Sequence, residues 1–436
     1  MLTWLGLCTI VALLVLIIFR VTSVLVALIV VPIVTGLIGG FGTQIGVFAM
    51  DGMRGVTPVA ALLSFAVIYF GVMNDVGLFE PVIRTLLRLV GRDPVKITVG
   101  TAAIAAIAHL DGAGASTFMV TVPAMLPLYQ RVGMSPLTLT CATALAAGTM
   151  NMLPWGGPTT RAATSLQVNM SDLFLPVVPA MVVGMAAVFV FAVHLGRRER
   201  TRLAGLTHLV TSEMDLEASG SRLDRLPRAR LGALWWFNAI LTAITLTALF
   251  LSVVPLPIVF VAASALALVV NYPDAHQQRE TLTGHAAAAM MMVTTIFAAG
   301  VFTGILTKSG MLPAMSADLV RVLPTTMLRH FPVVMAVTSM PLSLAFDPDS
   351  FYFGLLPILA SASHAAGSSA VEVGRAAILG QMTTGFPVSP LTPATFLLVG
   401  LAGVDLADHQ RRTIAYALGV TLVMAVTALA THAIAF

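Results

Sequence analysis

Charge is scarce in this sequence of 436 residues: Asp, Glu, Lys and Arg together make 10% of it, against 58% hydrophobic residues. Soluble domains carry roughly 25% charged residues, and the mean hydropathy of +0.96 excludes a water-soluble domain of this length. The chain is therefore read as an integral membrane protein. Period-2 alternation is missing, which excludes a membrane β-barrel and leaves helical spans. Cysteine is nearly absent, and Cys8 and Cys141 both fall inside apolar runs, so a disulfide framework and a cysteine metal site are set aside in favour of ordinary packing. No Gly-x-x-x-x-Gly-Lys-Ser/Thr loop occurs, so no ATP-driven pump is indicated within the chain. The net charge of +4 comes with arginines concentrated in loops, where membrane orientation explains them and a nucleic-acid partner is not needed.

Residues 1–19 lack a basic leader and a small-residue cleavage site and are expected to be a first span, not a removed signal peptide. Further spans are expected near 22–40 and 57–76, followed by an amphipathic segment, 79–90, with Arg84 and Arg88 on its polar side. Residues 97–130 are apolar but interrupted by Asp-Gly-Ala-Gly at 111–114. A spanning helix needs about 20 residues, and neither arm is that long. The pattern is that of a re-entrant hairpin, whose irregular tip must be buried in protein or face water. A broken helix at 137–166 and a span at 174–195 complete the first half, 1–196, and a polar connector occupies 197–230.

The second half, 231–436, repeats this order: spans near 233–252, 255–271 and 286–307, an amphipathic piece at 311–323, a hairpin at 331–364, a broken helix at 371–402 and a last span at 413–435. Gly71-Val-Met-Asn-Asp-Val-Gly-Leu matches Gly304-Ile-Leu-Thr-Lys-Ser-Gly-Met, Ser116 and Pro123 fall on Ser350 and Pro357, Pro154 on Pro387, and Pro158 on Pro393, all 233 to 235 positions apart. Matched order and hydropathy predict an internal duplication. Five crossings per half is an odd number, so the repeats must be inverted in the membrane. With the connector in the cytoplasm, only Arg54, Lys308, Arg321, Arg329 and Arg375 of the loop Lys and Arg fall outside, as the positive-inside rule requires. Both termini are then periplasmic or extracellular.

Four interruptions are expected to meet near the midplane: hairpin tips at 111–117 and 346–351, and helix breaks at 151–161 and 383–395. Helix N-termini there suit anionic groups, while unwound carbonyls and carboxylates suit cations. Arg161 is the leading residue, because a guanidinium in an apolar span must pair and its fork fits a carboxylate; the competing readings are an internal ion pair with Asp111 and an interfacial position near the outer end of the span. Asp111, Asp347 and Asp349 are candidates for metal or proton coupling, with helix capping the alternative, above all for Asp347 in Asp-Pro. Ser116, Thr117, Asn151, Thr159, Thr160, Ser350, Ser389, Thr392 and Thr395 are candidate substrate-binding groups, although Ser and Thr in membrane helices often bond their own helix. Gly156 and Gly157 let backbone approach a ligand, or let helices pack closely. His109 is read as a packed histidine or a proton relay.

Five segments carry a resemblance: Leu-Asp-Gly-Ala-Gly-Ala-Ser-Thr at 110–117, Pro-Ala-Met-Leu-Pro-Leu-Tyr at 123–129, Asn-Met-Leu-Pro-Trp-Gly-Gly-Pro-Thr-Thr-Arg at 151–161, Phe-Tyr-Phe-Gly-Leu-Leu-Pro at 351–357 and Gly-Leu-Ala-Gly-Val-Asp-Leu at 400–406. They resemble the citrate-Mg²⁺:H⁺ / citrate-Ca²⁺:H⁺ symporter family (CitMHS) of the ion-transporter superfamily, over essentially the whole chain. The resemblance implies proton-coupled uptake of citrate complexed with a divalent metal of the Mg²⁺ or Ca²⁺ class, the metal being part of the substrate and not a resident cofactor. It also implies a homodimer whose transport domain moves past a scaffold as an elevator, in the plasma membrane. In two places the chain departs from the family: Ala113 stands where the first tip often has a second Asp, and Asp347 where a neutral residue is common. The alternatives are a sodium-coupled di- or tricarboxylate carrier or an anion/proton antiporter of the same superfamily. An intramembrane enzyme or sensor is disfavoured, since no His-rich metal motif or aligned nucleophile and base occurs.

Overall fold

The computed structural model describes residues 1–19, 21–207, 232–251, 254–322 and 330–436, and among them every regular element is a helix. Much of the 197–230 connector lies outside the described residues, with Arg20 and Arg329. In chain order the helices are α1 (Leu2–Ile18), α2 (Val24–Ile38), α3 (Gln44–Asp75), α4 (Glu80–Val90), α5 (Pro94–Ala108), α6 (Gly114–Val132), α7 (Pro136–Met150), α8 (Gly157–Leu166), α9 (Met170–Phe174) and α10 (Val178–Thr207). The second half has α11 (Ala233–Leu251), α12 (Leu256–Asn271), α13 (Ala275–Lys308), α14 (Met311–Val322), α15 (Phe331–Leu342), a π-helical stretch Ser350–Leu355 continuing into α16 (Leu356–Ala365), α17 (Ala370–Ile378), α18 (Pro393–Ala402) and α19 (Leu406–Ala430).

The expected interruptions all appear within a few residues of their predicted places. The spans α10, α3 and α13 are longer than predicted: α10 runs to Thr207 and not to about 195, while α3 starts at Gln44 and not near 57, and α13 at Ala275 and not near 286. The first turns of α3 and α13 carry Asp51 and Arg54, or Gln277, Gln278, Arg279 and Glu280, and these lowered the local hydropathy below a spanning run. At about 1.5 Å per residue both helices exceed the roughly 30 Å hydrocarbon layer. They are two of four described helical stretches long and apolar enough to cross a membrane, with Met170–Ala204 and Leu406–Ala430.

The long helices α3 and α13 pack along each other as the centre of the molecule. Glycine makes this approach possible: a Cβ on Gly304 would stand 2.7 Å from Gly52 Cα, and one on Gly300 3.0 Å from Gly52 O, so small residues here let two backbones touch. Helix α12 packs on α3, and α2 on α13. In the first hairpin α5 and α6 pack on each other and on α7; in the second, α15 packs chiefly on α17, and α16 on α14 and α17. The breaks are pinned to this frame by Trp155, whose indole donates to Leu110 O at 2.8 Å and whose ring lies 5.1 Å from Phe70 of α3 and 5.2 Å from Phe260 of α12.

Candidate functional site

The first tip turns at Gly112, with φ of +74°, where L side chains are strained. Asp111 closes the turn by accepting the Ala113 amide at 2.8 Å and the Ser116 hydroxyl. Thr117 lies 2.7 Å from His109 Nδ1, and His109 Nε2 lies 3.3 Å from Asn151 Oδ1 in the first break. The Asn151 amide donates across to Met382 O at 2.6 Å. Met382, with φ of +56°, is thus fixed in a left-handed conformation in the second break.

The first break ends at Gly156, the N-cap of α8. Thr159 donates to Met152 O at 2.7 Å, Thr160 to Gly156 O at 3.0 Å, and one turn into the helix stands Arg161. Its Nε donates to Asp349 Oδ1 at 2.7 Å, with the two side chains 23% and 17% exposed. The predicted alternative partner, Asp111, is occupied by its own tip. Asp347 does for the second tip what Asp111 does for the first, accepting the amides of Asp349 and Ser350 at 3.0 and 3.1 Å and the Ser350 hydroxyl.

In the second break Ser389 donates to Ser343 O at 2.5 Å, Ser343 bonds to Gln381, and Thr395 donates to Phe386 O at 2.7 Å. Tyr352 donates to Gln381 O at 2.8 Å, tying the second hairpin to this break. Ser343, Phe346, Pro348, Gln381, Met382, Phe386, Ser389 and Thr392 line a narrow cleft, closely packed in this arrangement. It adjoins the ion pair, since Pro348 precedes Asp349 and the Met382 side chain lies against Gly157, on α8 with Arg161.

The four interruptions therefore form one hydrogen-bonded set, as the sequence predicts, but most predicted hydroxyls are spent on backbone carbonyls. Thr117, Thr159, Thr160 and Thr395 hold local structure, and the charge at the two tips and the first break lies in Arg161, Asp349, Asp111 and Asp347. Ser343, Gln381 and Met382 were not anticipated. Gln381 had a signal, a lone amide within a mainly apolar stretch; Ser343 and Met382 had none. Among the described residues no group of three or more His, Cys, Asp or Glu stands where it could hold a metal.

The family model for citrate transporters (CitMHS) matches residues 8–380. A citrate transporter of Bacillus subtilis (strain 168) is 45% identical over 414 residues, 95% of each chain, and a Mg(2+)/citrate complex secondary transporter of the same strain is 40% identical over 413 residues, 94% of each. Among solved structures, the YdaH transporter of Alcanivorax borkumensis superposes with a TM-score of 0.57 at 15% identity, over 90% of this chain and 88% of that one. MtrF of Neisseria gonorrhoeae, described within a class of antimetabolite efflux pumps, gives 0.58 at 11%, over 88% and 83%; at such identities these two speak for the fold alone. The chain is a membrane transporter and not an enzyme, and it belongs to the citrate transporter family.

Proposed function

We propose that the protein takes up citrate chelated to a divalent cation in symport with protons. The observation that carries this reading is the Arg161–Asp349 ion pair. It joins the first broken helix to the second hairpin tip, and both partners retain some exposure. A guanidinium so placed recognises carboxylate, and a citrate carboxylate is chemically what Asp349 already is. A divalent cation on trianionic citrate leaves a net charge of −1, which Arg161 and the N-terminus of α8 balance. Since the described residues assemble no cluster of three metal donors, the cation is expected to keep citrate oxygens as ligands, with Asp111, Asp347 or Asp349 adding oxygen or carrying the proton. The relative called a Mg(2+)/citrate complex secondary transporter supports the metal-bound form.

The mechanism we assign is an elevator of two inverted repeats, 1–196 and 231–436, in a homodimer in the plasma membrane, with the connector cytoplasmic and both termini outside. Support comes from the exchanged packing: α12 lies on α3 as α2 lies on α13, and α5 and α6 lie on α7 as α15 and α16 lie on α17. A pseudo-twofold axis in the membrane generates such pairs.

The test is uptake of labelled citrate into proteoliposomes with and without Mg²⁺, Ca²⁺ or Ni²⁺, under an imposed pH or Na⁺ gradient. Uptake is expected to need a divalent ion and to follow the pH gradient. Accumulation of metal-free citrate, or accumulation driven by Na⁺ alone, would refute the reading.

A further inference from the structure

Thr392 occupies the N-cap position of α18, yet its side chain makes no capping bond. A threonine at this position ordinarily accepts an amide of the first turn. Its hydroxyl is instead buried with no hydrogen-bond partner at all, in a residue 7% exposed. Buried hydroxyls are nearly always paired, and an orphan in a binding cleft calls for an explanation.

The surroundings supply one. Thr392 lines the cleft beside the Arg161–Asp349 pair, and no charged side chain lines that cleft. The other polar side chains there are occupied: Ser343 with Gln381, and Ser389 with Ser343 O and the Leu391 amide at 3.1 Å. Proline opens α18, which removes one amide donor from its N-terminus. An ionised carboxylate placed here would lack a countercharge, whereas a neutral hydroxyl can both donate to and accept from Thr392.

We propose that Thr392 pairs with the hydroxyl of a hydroxy-tricarboxylate, so that the site divides its substrate between a carboxylate end at Arg161 and a hydroxyl end at Thr392. This rests on the citrate reading above and adds a specificity-determining residue to it. A site built to bond a substrate hydroxyl rejects the analogue that lacks it, because its own polar group is then left unpaired.

The experiment compares Mg²⁺-dependent binding of citrate and of tricarballylate, the same skeleton without the hydroxyl, by purified protein, with Thr392→Val and Thr392→Ser beside the wild type. Wild type is expected to favour citrate by ten-fold or more. Thr392→Val, which keeps the shape, should lose that preference through weaker citrate binding with tricarballylate unchanged, and Thr392→Ser should restore it. Equal weakening of both ligands in Thr392→Val would make the residue structural and overturn the inference, as would unchanged discrimination or a wild type that binds both ligands alike. A wild type that binds neither ligand would overturn the citrate reading, and this inference with it.

Discussion

Replacing Arg161 with Lys keeps the positive charge and removes the geometry. In the structure Nε reaches Asp349 Oδ1 at 2.7 Å while Nη1 stays 3.4 Å from Gly157 O, so the guanidinium plane is set by two oxygens. An ammonium is a point charge and cannot hold both directions. A hydrogen bond to a charged group contributes about 1.5–3 kcal/mol, so loss of one to a substrate carboxylate weakens binding roughly ten-fold to a hundred-fold. Stability should change less, because partly exposed ion pairs contribute only about 0–1 kcal/mol. Isothermal titration of Mg²⁺-citrate into purified Arg161→Lys and Arg161→Ala, with thermal melts of both, separates the two effects. Unchanged affinity in both variants, with folding intact, would place Arg161 outside the substrate site and refute the reasoning.

If Asp349 occupies Arg161 in the place of a substrate carboxylate, Asp349→Asn should tighten Mg²⁺-citrate binding by about ten-fold, the effect of removing one charge-assisted bond; weaker binding in the same titration would make Asp349 a direct ligand. Glu199, 2% exposed, accepts from the Ser135 amide at 3.2 Å, Thr138 at 2.9 Å and Arg202 at 2.7 Å, and Glu199→Gln is expected to lower stability in detergent melts by about 1–3 kcal/mol. With the exposed Cys8 replaced by Ser, a cysteine placed in the 203–220 connector should react with impermeant thiol reagents only from the cytoplasm, and one appended after Phe436 only from outside; labelling from one face would end the inverted five-plus-five topology. Asp93 caps α5 and is held below the usual carboxylate range, first by its hydrogen bond from Arg200 at 2.6 Å. A depressed native value adds stability above the unfolded carboxylate value and loses it as pH falls through the native one. Asp93→Asn should therefore lower the melting temperature at neutral pH, and the difference from wild type should vanish as pH falls through the depressed native value of Asp93.

The sequence carried the breaks because each is written locally, in Gly, Pro and Asp within apolar runs: 111–114, 151–158 and 347–350 all sit where hydropathy and breakers put them. Helix length was less legible. The polar segments that open α3 and α13 look like loops to a hydropathy reading; packing on α13 continues the first as helix, while the second is opened by the Asp274 side chain, which accepts the Gln277 amide. The pairing of Arg161 was not legible at all, since Asp349 lies 188 positions away and periodicity says nothing about which of three acids reaches it. The hydroxyls show the same limit. Residue type marks Thr159, Thr160 and Thr392 alike, but only packing shows that the first two bond backbone carbonyls and the third bonds nothing.

That difference bears on how binding and movement are joined. Asp349 sits on the second tip and Arg161 on the first broken helix, so a carboxylate that takes over Arg161 releases the tip from α8. The tip is not then free, because Tyr352 still donates to Gln381 O and Ser343 still bonds Gln381. Gln381 adjoins Met382, whose carbonyl is held by Asn151, which in turn meets His109 behind the first tip. The contacts that remain run through all four interruptions, and close-packed networks of this kind have discrete arrangements instead of graded ones. A ligand shifts such a set only by its differential affinity for the two arrangements. In the proposed mechanism the substrate supplies that difference by offering Arg161 a carboxylate not anchored to the hairpin and Thr392 a partner that the protein itself does not provide.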